Sequence, residues 1–189
     1  FLDRHGSGET LPSAQLSDLP DDGRDLEQVA AAARPSSSFA GEVPDPADLA
    51  LVMESMRLAP SADNAQTWRF VVVRGAEQTA RVLAAAGHDV PQDQAPGALL
   101  ATFAAPFIVK NVNKEQPFAL IDHPIALTHA LLTAEALGLH WNATFVFDGV
   151  PVREMLGVPE NWPPTALFAL DRGGERAGDD PPAWVQLYR

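Results

Sequence analysis

The chain contains no cysteine. That absence removes disulfides, zinc–thiolate sites, iron–sulfur clusters and a cysteine nucleophile together. Basic charge is scarce as well: 13 Lys and Arg stand against 25 Asp and Glu, for a formal net charge of −12. A nucleic-acid binder displaces counterions with a basic footprint, and none is present here. The same deficit argues against anionic membrane surfaces. Aromatic residues make up only 7%, so Leu, Val and Ala must fill most of any core. No apolar run reaches the length of a membrane span. Residues 124–139 come nearest, and they carry His129 and Glu135. No signal-peptide pattern is visible, and the cytoplasm is the expected location. Gly-rich phosphate loops of the G-x-G-x-x-G or Walker kind are missing. Ser36, Ser37, Ser38 and Ser61 lack a nucleophile elbow or triad. His123 and His129 are six apart, which puts them on different helix faces; with His140 they make no convincing metal set.

What is present is 189 residues of globular composition, 46% hydrophobic, enough for one domain with a sizeable core. Residues 1–25 mix Gly, Ser, Pro and Asp without period and read as an extended arm or linker before a domain over 26–189. A short helix is predicted over Leu26 to Ala33, broken by the R-P-S-S-S-F-A stretch from Arg34 to Ala40. Asp45 and Pro46 suit the N-cap and first position of the next helix. Leu49, Val52, Met53 and Met56 give it one apolar face, and Pro60 should stop it at Ala59. A polar loop leads into a strand at Phe70–Val73, then a helix over Ala76–Ala86. Leu99–Lys110 holds a second strand, placed at Phe107–Lys110. Pro124–Gly138 is the strongest helix, with Pro124 at its first position and Gly138 just past its end. Its apolar residues surround nearly the whole wheel, so it should be central or shared with a second subunit. Trp141–Phe147 reads as strand or loop, Pro151–Leu156 as a short helix, and Pro164–Asp171 as a last strand. Trp184, Leu187 and Tyr188 are possible anchors of the tail. This order lacks regular βαβ alternation, so an α+β fold with a small mixed sheet is expected.

Three blocks carry a resemblance. Leu58-Ala-Pro-Ser-Ala-Asp-Asn-Ala-Gln-Thr-Trp-Arg-Phe-Val-Val-Val73 resembles the nitroreductase signature, in which A-P-S ends a helix and N-x-Q-P-W leads into a strand. Thr67 stands where that signature has proline. Asp122–Leu139 is similar to the family's buried dimer helix, and Val152–Glu160 to its short segment ending in L-g-l-P-e. The resemblance implies a three-layer dimeric fold, with helices on both sides of the sheet and FMN at the subunit interface. Arg34 and Ser36 match the start of the family's R-x-S-x-R/K segment, and Arg172 its basic residue after the last strand. These would clamp the phosphate, with Ser38 and Ser61 as further contacts. Asn64 and Gln66 would bond flavin or ribityl oxygens from the second subunit, while Trp68 would serve as a core anchor.

The chain also departs from that pattern. Ser38 stands where the family carries a second cation beside the flavin. Phe145-Val146 replaces the small residues near flavin N5, and Asn111–Gln116 is short where many members insert a lid. Gly8–Pro12, followed by Leu26–Phe39, resembles the subgroup that dehydrogenates azoline rings in peptides. Lys110 and Lys114 are in place for that chemistry, but Tyr188 is the only tyrosine, which argues against its usual version. The expectation is an FMN-dependent oxidoreductase with no assigned catalytic side chain. It would use NAD(P)H or an organic donor, act on a small-molecule or peptide substrate, and bind neither nucleic acid nor membrane. The alternatives are a dimeric domain that has lost flavin, or an azoline-type peptide dehydrogenase.

Overall fold

In the computed structural model, which describes residues 11–105 and 118–178, local sequence starts several elements. Helix α1 (Leu26–Ala32) opens on a capping box: Asp25 Oδ1 accepts from the Gln28 N–H, and Gln28 Oε1 from the Asp25 N–H. Strand β1 (Ser36–Phe39) follows. Helix α2 (Pro46–Arg57) has proline in its first turn, and Leu49, Val52, Met53 and Met56 are all buried, as their spacing predicts. Asp45 stands at its N-cap but makes no side-chain cap. Strand β2 (Trp68–Arg74), helix α3 (Ala76–Ala85) and strand β3 (Ala98–Ala104) come next. Helix α4 (Ala119–Ala136), strand β4 (His140–Thr144), helix α5 (Gly149–Met155), and strands β5 (Pro164–Asp171) and β6 (Gly174–Arg176) complete the described chain.

Four strands form the main sheet in the order β2-β3-β5-β4, and β1 pairs with β6 in a separate ladder. All described ladders are antiparallel, where a mixed sheet was expected. The two middle strands are apolar along their length because helices cover both faces. Alternate residues therefore face opposite layers. Leu100, Phe168 and Leu170 pack with α2 and α4, while Leu99, Phe103 and Leu167 pack with α3 and α5. The expected three-layer α+β architecture is present. Trp68 is a buried member of the first layer, as expected.

Other local expectations need correction. The R-P-S-S-S-F-A stretch contains strand β1, because Ser36, Ser38 and Phe39 pair with Arg176, Glu175 and Gly174 far along the chain. For the same reason β5 is not the last strand. Pro124 lies inside α4 rather than at its start: Ala119–His123 already forms the preceding turn, so the missing proline N–H falls in the helix body. Leu120 and Ile121, ahead of the predicted helix, are exposed within one chain. The second strand lies earlier than placed, at Ala98–Ala104. Phe107–Lys110, the short Asn111–Gln116 segment, Lys114 and the tail anchors Trp184, Leu187 and Tyr188 lie outside the described residues. From residue 11 on, the amino-terminal segment lies against the domain: Leu11 packs on the first core layer, and Arg24 donates to the Glu135 and Ala136 carbonyls at the end of α4.

One buried carboxylate ties the end of β5 to two other segments. Asp171 is fully buried. Its Oδ1 accepts from the N–H groups of Glu42 and Gly173, and its Oδ2 from those of Gly41 and Gly97. Gly97 is required there: a Cβ would sit 2.1 Å from the Glu42 carbonyl oxygen.

Candidate functional site

The candidate residues fall into two groups at opposite ends of the sheet. At the end where β5 finishes and β4 begins, guanidinium groups gather. Arg34 is exposed, and its side chain bonds only the neighbouring Ala33 carbonyl among the described residues. Arg172 is exposed too, but its guanidinium already donates to the Asp45 carboxylate and, at 2.7 Å, to Asp48 Oδ2. Burial pushes the Asp48 carboxyl above its usual range, and Arg172 opposes that rise. Arg176 reaches Glu135 Oε2 at 2.6 Å and also donates to the Arg34 carbonyl. Ser36 is buried, with its hydroxyl 3.2 Å from His140 Nδ1 and its carbonyl taken by the Asn142 amide. Ser38 is exposed on β1. Among the described residues Arg34 and Ser38 thus offer side chains without a carboxylate partner, Arg172 shares its charge with two carboxylates, and the Ser36 hydroxyl faces His140.

At the other end, where β2 and β5 begin, lies the polar loop between α2 and β2. Asp63, Asn64 and Gln66 have φ of 50°, 52° and 46°, a left-handed region that non-glycine residues rarely occupy. The Ser61 carbonyl accepts from the Asn64 N–H and its hydroxyl from the Gln66 N–H. The Gln66 side-chain amide donates to the Arg57 carbonyl, so it serves the turn. Asn64 stays exposed. Phe145 and Val146, at the same end after β4, are 58% and 85% exposed. They form an open apolar surface with nothing packed over it among the described residues.

Sequence reasoning placed Asp122 only as the first residue of the family-like helix block and left His123 outside any metal set. Both are buried. Asp122 accepts from the Ala62 N–H through both oxygens, at 3.3 and 3.2 Å. His123 places Nε2 3.4 Å from Thr67 Oγ1 and Nδ1 2.9 Å from Thr165 Oγ1, which in turn lies 2.7 Å from Thr102 Oγ1. Their signal in the sequence is adjacency at the head of an apolar helix, where two polar residues need buried partners.

Burial, aided by the charge of Arg69 and opposed by Thr67, holds His123 down at about 4 against an ordinary 6.5. Between those values the unfolded chain takes up a proton that the folded chain refuses. Stability from this group is therefore complete above pH 6.5 and is lost as the pH falls towards 4. The loss is expected to reach about 3 kcal/mol. Urea unfolding at pH 7 and pH 4.5 measures it. His123→Gln should flatten that part of the pH dependence; parallel losses in both proteins would assign it elsewhere.

The comparisons with known proteins bear directly on this arrangement. The nitroreductase family model matches residues 25–173. The chain belongs to the nitroreductase family. No curated protein matches the sequence. A nitroreductase family protein from Clostridium novyi NT shares 20% identity at a TM-score of 0.70, over 82% of this chain and 86% of that one. A putative NAD(P)H:FMN oxidoreductase from Staphylococcus epidermidis shares 19% at 0.71, over 88% and 95%. An FMN-dependent nitroreductase from Clostridium difficile shares 16% at 0.64, over 80% and 91%. At such identities the structural likeness establishes the fold. Family membership makes this nitroreductase-type chain a flavin oxidoreductase in the general sense. No helix among the described residues is long and apolar enough to cross a membrane.

Proposed function

We propose that this nitroreductase-family chain is an FMN-dependent oxidoreductase that acts as a homodimer in the cytoplasm. It would pass hydride between NAD(P)H or an organic donor and an acceptor. The exposed guanidinium of Arg34, free of any carboxylate among the described residues, is the observation that carries the cofactor reading. It suits a phosphate, which prefers guanidinium forks. Ser38 supplies a hydroxyl beside it on β1, and Arg172 a further, partly neutralised cation. The apolar surface of Phe145 and Val146, which suits a flat ring, lies with the loop at the other end of the sheet. FMN, when bound, supplies the hydride chemistry at N5. The residues named here bind it, orient it and exclude water.

Ser61, Asn64 and Gln66 stand at the far end of β5 from the cation group. That strand spans about 23 Å, longer than an extended FMN. One chain therefore cannot bring both groups to one flavin, and a second copy would supply the loop together with Phe145 and Val146. The open face of α4, with Leu120 and Ile121 exposed, is apolar enough to seat it.

The first test is an absorbance scan of the purified protein, with heat release and identification of the flavin. About one FMN per chain is expected. Arg34→Ala combined with Arg172→Ala should abolish flavin retention and leave the dimer intact; full retention would remove this phosphate site. A second reading, a dimeric partner domain that has lost flavin, is favoured by the engagement of Arg172 with Asp45 and Asp48. A colourless protein that ignores added FMN would establish it.

A further inference from the structure

The Ser61–Thr67 loop holds three residues in the left-handed region, at Asp63, Asn64 and Gln66. Each costs free energy, and such a shape persists only where its surroundings over-determine it. The loop's own bonds fix its middle. Its two ends are fixed from outside by two consecutive residues of α4. Asp122 takes the Ala62 N–H at the entry, and His123 faces the Thr67 hydroxyl at the exit while Thr165 anchors its other nitrogen. A carboxylate 3% exposed is costly in the interior, and an apolar residue would serve packing there at least as well. Its position marks a demand on the loop rather than on the core.

We infer that Asp122 and His123 are positioning residues, which hold the Ser61–Thr67 loop in the shape that receives the flavin and tie that shape to α4. This rests on the flavin reading above. The exposed Leu120 and Ile121 lie on the same first turns of α4.

The test uses the full chain and two readouts. One is amide hydrogen exchange at Ala62 without added FMN. The other is FMN affinity from fluorescence quenching. Asp122→Ala is expected to speed exchange at Ala62 by about tenfold or more and weaken FMN by a similar factor, the scale of one lost charge-assisted hydrogen bond. Far-UV circular dichroism should be unchanged. Asp122→Asn keeps an accepting oxygen and should restore both readouts to within about threefold of the parent. A folded Asp122→Ala protein with unchanged FMN affinity, or failure of the asparagine to rescue, overturns the inference. Should Asp122→Ala not fold, Thr67→Val, which removes the hydroxyl that His123 faces, decides by the same criteria. If the parent itself takes no FMN, the flavin reading fails on its own. Unchanged exchange at Ala62 overturns the clamp whatever FMN does.

Discussion

Asp171→Ala is expected to destabilise the protein by about 4 kcal/mol, measured as the shift in guanidinium unfolding. The carboxylate is fully buried and serves four backbone N–H groups, from Gly41, Glu42, Gly97 and Gly173. Alanine leaves these donors facing a cavity. Four orphaned donors would cost more than the figure given, but the mutant no longer desolvates a charge, and water entering the gap satisfies some donors. Asp171→Asn separates the parts. Each carboxylate oxygen holds two of the donors, and an asparagine amide nitrogen cannot accept. Asparagine should therefore recover about half of the loss. Equal losses for alanine and asparagine would show that charge, rather than the number of bonds, holds the junction.

Glu135→Ala should cost about 2 kcal/mol and loosen the amino-terminal segment. Glu135 is buried on α4, with Arg176 on one oxygen at 2.6 Å and Arg24 3.7 Å from the other. Removing it leaves two guanidiniums whose side chains are about 30% exposed, so rehydration limits the penalty. Arg24 also donates to the Glu135 and Ala136 carbonyls, which remain in the mutant. Tryptic cleavage after Arg24 should accelerate while the domain stays folded. A double-mutant cycle with Arg24→Ala gives the coupling; a value near zero would mean that Arg176 alone satisfies the carboxylate.

Much of the fold can be read from local chemistry. The periodicity of Leu49, Val52, Met53 and Met56 gives the buried face of α2, and Pro164–Asp171 is the strand its apolar run predicts. The same chemistry misleads at α4, where Pro124 looks like a helix start and outweighs the helix preference of Ala119 and Leu120 before it. Strand β1 is illegible because Ser-Ser-Ser has no β preference and its partner β6 lies at the far end of the domain. The candidate site divides in the same way. The loop through Asn64 and Gln66 is found by its motif. That Asp45 and Asp48 occupy Arg172, and that His140 faces the Ser36 hydroxyl, are consequences of distant segments meeting. Spacing along the chain carries no trace of them.

Among the described residues strand β2 lies at one rim of the main sheet, with Val71-Val72-Val73 enclosed by Arg69 and Arg74. Three β-branched residues on an outer strand are a template for unwanted pairing between molecules. The flanking arginines act as gatekeepers, since like charges meet when two such rims approach in register. Arg69 lies over the Trp162 ring at 5.6 Å, which holds its charge near the strand. Resistance to edge-on association is thus carried by two charges, one near each end of a single strand.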